Sequence, residues 1–278
     1  MLNSILINAV CQMARLAYHN QDFFDENFEK EKRPEKCECF DLMEEKPKLI
    51  ESGIDTECYV SVFNNNSILC AFRGTENIRD WLTDANIVRV PMDLEGVEDK
   101  DRPLAHWGFL RQFRSVESKI TDFINAEIQK NTEIKNIIYT GHSKGGGEAV
   151  IACMNYAHKY PGLKHACVTF GAPRVGNGAF KERFNRICDF EKRYVLWYDP
   201  VPSLPFSLRY RHTCPSEYIN TSENIIQQVE TRVSRFFWVL YYKFAHWCGS
   251  TYNPIDDHSI LYYRDKLNEL LKDDDEEN

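Results

Sequence analysis

Apolar residues recur with a period near 3.6 in several stretches of the chain, and this spacing predicts amphipathic helices. Near the N-terminus, one apolar face is formed by Leu6, Ala9, Val10, Met13, Leu16 and Ala17. A longer face follows at Leu110, Phe113, Val116, Ile120, Phe123, Ile124 and Ile128. Two further helices are predicted, one with apolar positions between Ala149 and Ala157 that ends before Pro161-Gly162, and one over residues 178–187.

Short runs of β-favouring residues lie between these helices. Residues 58–63 and 68–72 flank Asn64-Asn65-Asn66, a pattern that predicts a β-hairpin. Further strands are predicted at residues 137–139, 166–170 and 194–198. Because strands and helices alternate after the hairpin, we expect an α/β fold with a mostly parallel sheet, helices on both faces and the hairpin as an antiparallel edge.

Three segments interrupt this pattern. Residues 24–48 are rich in Glu, Lys and Pro and are predicted to be a surface loop with short turns, and residues 91–103 are acidic and are predicted to be a loop. Residues 236–248 are unusually aromatic but too few to cross a bilayer, which needs about 20 apolar residues. They suit either a buried helix or strand, or a surface that enters a lipid interface.

Composition and charge narrow the function. The chain has 278 residues and a net charge of -8, which argues against a nucleic-acid partner because such proteins present a basic face. No repeat or linker is visible, so residues 1–271 are predicted to form one domain and residues 272–278 a disordered acidic tail. The N-terminus lacks the basic segment of a signal peptide, and a cytoplasmic or intracellular location is therefore expected.

The ten cysteines are dispersed and show no dense disulfide framework. Cys37 and Cys39 form the one close pair, and neither a second pair nor a histidine cluster accompanies them to complete four ligands. No metal site is expected.

The strongest chemical signal is the turn Gly141-His142-Ser143-Lys144-Gly145, which follows a predicted strand and precedes a predicted helix. Strand, Gly-x-Ser-x-Gly and helix together are the context of a nucleophile elbow. A Cβ atom at Gly141 or Gly145 would clash with the neighbouring strand or helix, and Ser143 is expected to be strained. Its Oγ would then face the positive N-terminal end of the following helix.

An activated serine needs a histidine base and an acid that orients it, and in α/β-hydrolases the acid follows the serine and the histidine comes last. The later acids include Asp189, Asp199 and Glu217. Asp199 is best placed because it follows a predicted strand. The later histidines are His212, His246 and His258. His258 precedes an apolar helix pattern, but a buried structural histidine remains the alternative for each.

Seven motifs occur in the order found in class 3 lipases. They are Arg73-Gly74-Thr75, Asp80-Trp81, His106-Trp107-Gly108-Phe109, Gly141-His142-Ser143-Lys144-Gly145-Gly146, residues 170–177, residues 199–205 and Asp257-His258. The chain resembles this family over roughly residues 55–265. The resemblance implies an α/β-hydrolase fold.

The resemblance also implies a role for each matching residue. Ser143 matches the nucleophile, Asp199 the acid and His258 the base. Thr75 and Lys144 match the residues whose backbone N–H groups form the oxyanion hole. His142 matches a position that supports the turn, and residues 76–90 match a lid that moves at a lipid surface.

The implied activity is that of a serine ester hydrolase acting on acyl lipids, in particular acylglycerols, through an acyl-enzyme and without a cofactor or metal. A transient contact with a membrane or lipid-droplet surface is expected. The lid segment is rather charged, which keeps phospholipids and soluble esters open as substrates. A lipase-like module that binds lipid or protein without catalysis is the alternative of a different class.

Lys144 departs from the family pattern, since many members carry an apolar residue there. Two interpretations of its side chain are open. It either pairs with a nearby carboxylate or contacts the phosphate of a lipid headgroup.

Overall fold

The computed structural model describes residues 3–29, 38–53, 56–75, 88–98, 102–205, 209–220, 225–229 and 258–276. Within them the helices are α1 (Ser4–Leu16), α2 (Gln21–Asn27), α3 (Trp107–Lys130), α4 (Lys144–Lys159), α5 (Gly178–Ile187) and α6 (Ile260–Glu276). The strands are β1 (Lys48–Ser52), β2 (Thr56–Phe63), β3 (Ser67–Phe72), β4 (Arg89–Pro91), β5 (Leu104–His106), β6 (Asn136–His142), β7 (Lys164–Phe170), β8 (Phe190–Leu196), β9 (Ser216–Asn220) and β10 (Ile225–Val229).

The described strands form one eight-stranded sheet in the order β1-β2-β3-β6-β7-β8-β9-β10, and β4 pairs with β5 in a separate ribbon. The pairings from β3 to β9 are parallel, and both edges of the sheet are antiparallel. This arrangement confirms the mostly parallel α/β sheet. The predicted antiparallel N-terminal edge is one strand wider than the hairpin, because β1 pairs outside β2.

Two hydrophobic layers cover the two faces of the sheet, because neighbouring residues of a strand point to opposite faces. Ile137 and Tyr139 of β6 pack with α3, α4 and α5, whereas Ile138, between them, packs with α1 and α6. The strands of the sheet centre are buried on both faces, which explains why they are near-continuous apolar runs.

The predicted long helices and central strands lie where the periodicity places them. The helix over residues 178–187 has the predicted bounds, and Asn177 caps it by accepting a hydrogen bond from the Phe180 N–H. The strand predicted at residues 194–198 ends two residues earlier, at Leu196. Its last two residues instead belong to the turn that leads to Asp199.

The prediction of a surface loop over residues 24–48 is wrong in part. Phe24 lies in α2 and Phe40 in a short 3-10 turn, and both side chains are fully buried and in edge-on contact with each other. Because many of their neighbours in the sequence are charged, these two core residues show no regular apolar spacing. Residues 30–37 of this segment, including Cys37, lie outside the described residues.

The C-terminal helix continues beyond the predicted start of the acidic tail, since α6 runs through Glu276. Leu267, Leu270 and Leu271 anchor it in the core, and a helix once nucleated extends at little cost per residue. None of the described helices is long and apolar enough to span a bilayer. The aromatic segment at residues 236–248 and most of the lid candidate, residues 76–87, lie outside the described residues.

We predict that Phe113→Ala lowers the free energy of unfolding by about 3–5 kcal/mol, the usual cost of deleting a buried aromatic side chain. Phe113 is fully buried on α3 between Phe72 and Tyr156, at ring-centroid distances of 6.5 and 5.7 Å. Urea unfolding would measure the change. Leu261→Ala is the control, because Leu261 is 46% exposed and its loss should cost less than about 0.5 kcal/mol. Equal losses in the two variants would contradict the assigned core.

Candidate active site

Ser143 lies in a sharp turn between β6 and α4. Its backbone has φ 57° and ψ -126°, in the region that L-residues avoid. The turn exists because α4 approaches the end of β3 very closely. A Cβ atom at Gly145 would lie 2.3 Å from the Phe72 carbonyl oxygen, so only glycine fits there. This strained serine at a strand–helix junction has the predicted geometry of a nucleophile elbow.

Asp199 and His258 are in direct contact, as the order of motifs predicts. Asp199 Oδ2 lies 2.8 Å from His258 Nδ1, and both side chains are almost fully buried. The other carboxylate oxygen, Oδ1, accepts a hydrogen bond from the Val201 N–H at 2.9 Å. With an ionised carboxylate as its partner, Nδ1 is the donor, so Nε2 of a neutral His258 is the lone-pair nitrogen that can accept a proton.

The turn after β7 joins the serine to this pair. The Ser143 N–H donates to the carbonyl of Phe170 at 3.0 Å. The next residue, Gly171, has φ +59°, and a Cβ atom there would lie 2.8 Å from Asp199 Oδ2 and 2.9 Å from His258 Cε1. The backbone of residues 170 and 171 therefore lies between Ser143 on one side and the pair Asp199 and His258 on the other.

Ser143 Oγ and His258 Nε2 are both buried, and neither makes a hydrogen bond within the part of the chain that the structure describes. Most buried polar atoms in proteins are paired, because leaving them unpaired is costly. Two such atoms, one on a strained serine and one on a histidine held by a carboxylate, are the two that nucleophilic catalysis would use.

The predicted oxyanion-hole residues lie on the two segments that the elbow brings together. Thr75 follows β3, and a Cβ atom on the preceding Gly74 would lie 2.7 Å from the His142 carbonyl oxygen. Lys144 is the first residue of α4, where backbone N–H groups have no partner inside the helix. Their role as oxyanion donors remains a prediction.

The side chain of Lys144 pairs with a carboxylate, which is one of the two interpretations that the sequence left open. Its Nζ lies 3.6 Å from Glu148 Oε1, one helical turn along α4. The Lys144 side chain is 4% exposed and that of Glu148 is fully buried. The ammonium group is therefore engaged inside the protein and does not face outward.

Tyr263 is a site residue that the sequence did not indicate. Its hydroxyl donates to Asp199 Oδ2 at 2.6 Å and accepts from the Leu196 N–H at 2.9 Å. It thereby ties the carboxylate to the end of β8. Tyr263 lies on the buried face of α6, five residues after His258, and no sequence pattern indicated its contact with Asp199.

His142 also contacts the site, from the side of the N-terminal helix. Its ring lies 4.4 Å from that of His258, and its Nδ1 is 2.8 Å from the Tyr18 hydroxyl. Burial, and secondly the neighbouring His258, hold the pKa of His142 well below 6.5. A neutral His142 adds no charge that would oppose protonation of His258. The predicted role in supporting the turn thus gains an electrostatic component.

The other candidate acids and bases are engaged elsewhere. Asp189 Oδ2 accepts the His165 N–H at 2.8 Å, and Glu217 lies 3.8 Å from Lys192 Nζ. His212 Nε2 is 2.6 Å from the Pro202 carbonyl oxygen. His246 lies outside the described residues. Among the residues that the structure describes, no cluster of His, Cys, Asp and Glu could hold a metal ion.

Comparison with known proteins gives consistent results. Residues 69–208 match the model of the family Lipase (class 3). The chain is 31% identical over 191 residues to the secreted mono- and diacylglycerol lipase 1 of Fusarium solani, a match that covers 66% of this chain and 54% of that protein. The chain thus spans about half the length of this relative.

Two further similarities place this match in context. Protein EDS1L of Arabidopsis thaliana is 30% identical over 144 residues, which cover 46% of this chain and 23% of that protein. The native propeptide complex of Rhizomucor miehei lipase has a TM-score of 0.67 at 22% identity and covers 81% of this chain and 71% of its own. At that identity the structural likeness supports the fold alone.

We predict that His142→Gln flattens the fall in stability on acidification. Because the pKa of His142 is depressed in the folded state, the unfolded chain binds more protons below about pH 6.5. As the pH is lowered, this residue should therefore decrease the free energy of unfolding by up to about 1.4 kcal/mol per pH unit. The variant lacks that contribution.

Urea unfolding at a series of pH values would measure the slope. His19 and His165, whose pKa values burial also lowers, contribute equally in both proteins. Identical slopes for the wild type and His142→Gln would contradict a neutral, buried His142.

Proposed function

This chain belongs to the class 3 lipase family, and on that premise we propose that it is a serine ester hydrolase that cleaves carboxylic esters of acyl lipids. The observation that carries the proposal is the buried 2.8 Å contact between Asp199 and His258, set against a strained Ser143 across a single turn. A module that only binds lipid has no need for this arrangement.

In the proposed reaction, Ser143 Oγ attacks the ester carbonyl carbon while His258 Nε2 takes the hydroxyl proton. The tetrahedral intermediate collapses to an acyl-enzyme, and the alcohol leaves with the proton that His258 returns. Water then attacks the acyl-enzyme with His258 again as the base, which releases the fatty acid and restores Ser143. Asp199 holds the imidazole tautomer and stabilises its transient positive charge.

Negative charge on the carbonyl oxygen would be bound by the backbone N–H groups of Thr75 and Lys144. Each such donor typically lowers the barrier by about 3 kcal/mol. The N-terminal end of α4 adds a positive electrostatic field at the same position. The side chain of Lys144 takes no part, because Glu148 already neutralises it.

Acylglycerols are the proposed substrates. A relative at 31% identity is named for mono- and diacylglycerols, and Lys144 is unavailable to recognise a phosphate headgroup at the site. Phospholipids and soluble esters are the alternatives within the same mechanism.

The deciding experiment compares the wild type with Ser143→Ala on short nitrophenyl esters, mono-, di- and triacylglycerols and phospholipids. We expect the variant to lose ester cleavage by at least about a thousandfold and to lose labelling by a fluorophosphonate. Ser115→Ala is the matched control, because Ser115 lies on α3, outside the candidate site, and donates a hydrogen bond to the Ser52 hydroxyl.

The pattern of results separates the alternatives. Cleavage that persists in Ser143→Ala would sink the assignment of the nucleophile. A wild type that cleaves no ester and takes up no fluorophosphonate, even with detergent present, would favour the non-catalytic binding module. Preference for phospholipid over every acylglycerol would replace the proposed substrate while keeping the mechanism.

We also predict that Tyr263→Phe lowers kcat by about tenfold, the size expected from losing one hydrogen bond to a charged group. Without the Tyr263 hydroxyl, Asp199 Oδ2 loses one of the contacts that fix it beside His258, so the imidazole should be less well aligned with Ser143. Tyr262→Phe is the control on the same helix. A loss of stability with an unchanged kcat would show that Tyr263 supports only the fold.

A further inference from the structure

A groove of about 560 Å³ lies between β4 and the first two turns of α3. Its walls include the apolar side chains of Val90, Trp107 and Leu110. Trp107 is 40% exposed, and its backbone N–H donates to the backbone carbonyl of Val88, a residue that is 48% exposed. An exposed apolar residue of the groove, Trp107, therefore lies beside a second exposed apolar residue, Val88.

The same groove is basic. Among the described residues that line it, Arg102, Arg111 and Arg114 are basic and Asp93 alone is acidic, which gives these residues an excess of two positive charges in a chain whose net charge is -8. Asp93 pairs with Arg102 and, at 3.3 Å, with Arg114. The Arg111 guanidinium lies 5.2 Å from the ring centroid of Trp107, so a cation is held directly against the exposed aromatic ring.

The groove lies at the same end of the sheet as the candidate active site. The C-terminal end of α3 leads into the start of β6, so its N-terminal end lies near the level where β6 ends and Ser143 follows. Phe109, in the first turn of α3, packs against the first turn of α4, since a Cβ atom on Gly147 would lie 3.0 Å from its ring. A surface that touched Trp107 would thus approach the elbow.

We propose that this groove docks the protein on membranes that carry anionic phospholipid headgroups. Indole rings favour the boundary between headgroups and acyl chains, and guanidinium groups bind phosphate oxygens with two parallel hydrogen bonds. A free phosphate ion would satisfy the arginines but leave Trp107 and Val88 in water, whereas a lipid surface satisfies both. The choice of partner rests on the proposed action on acyl lipids, which requires contact with a lipid surface.

In this arrangement, docking depends on phosphate headgroups, whereas catalysis does not. The arginines of the groove hold the membrane, while the neutral Lys144–Glu148 pair leaves the site suited to an uncharged acylglycerol that lies in that membrane. The groove is a binding surface and touches no reacting atom.

The test is sedimentation of the Ser143→Ala variant of this chain, which cannot consume lipid, with phosphatidylcholine vesicles that contain or lack phosphatidylglycerol. We expect tighter binding to the anionic vesicles, weakened by added salt. Arg111→Gln/Arg114→Gln should reduce that binding by about 25-fold, since each arginine near an anionic surface contributes roughly fivefold. Trp107→Ala should weaken binding to both kinds of vesicle.

The matched control is Lys159→Gln/Arg186→Gln, which removes two exposed cations from the last turns of α4 and α5, at the opposite end of the sheet. It should bind like the parent. Equal losses in the control and the groove variant would reduce the effect to net charge and overturn the proposal. Binding that inorganic phosphate abolishes at unchanged ionic strength, or no binding to either vesicle, would overturn it as well.

A second assay separates this inference from the proposed function. With Ser143 intact, the groove variants should cleave a soluble short-chain ester with the wild-type kcat/KM. If the protein cleaves the ester but the groove variants bind vesicles as well as the parent does, the docking surface is refuted and the proposed enzyme activity stands. Groove-dependent binding by a protein that cleaves no ester would refute the enzyme and leave the docking surface.

Discussion

The closeness of two backbones sets the geometry of the whole site. Gly145, in the first turn of α4, meets the carbonyl of Phe72 at the end of β3 with no room for a side chain. This approach forces the turn at Ser143 into its strained conformation and brings the segment that carries Thr75 beside it. The parallel sheet supplies the rigid support that such strain requires, since its central strands are buried on both faces.

The central elements were predictable because local sequence and final environment agree there. The helix that begins at Trp107 and the one over residues 178–187 each bury one periodic face, so spacing alone locates them. Strands β1, β9 and β10 were missed for the opposite reason. Each has five residues, and β1 buries only Ile50, so these strands form by pairing with a sheet that already exists.

The candidate site was predictable where a short motif carries the chemistry. Ser143 lies in such a motif, and Asp199 and His258 follow it in a known order. Tyr18 and Tyr263 were not predicted because their contacts are distant in the sequence. Tyr18 contacts His142, 124 positions away, and Tyr263 contacts Asp199, 64 positions away. No local pattern reports a contact that depends on how the first and last described helices pack against the sheet.

That packing gives the site an order of assembly. Helices α1 and α6 lie against each other on one face of the sheet. Tyr18 follows α1, His258 precedes α6, and Tyr263 lies within α6. Contacts between residues so distant in the chain carry a high entropic cost and tend to form late in folding. The hydrogen bonds that His258 and Tyr263 make with Asp199 would therefore form only after the C-terminal segment has docked, and the one between Tyr18 and His142 only after the N-terminal segment has docked. A chain whose C-terminal segment has not docked would therefore lack the contact between Asp199 and His258, so the last described helix decides whether the candidate acid and base meet.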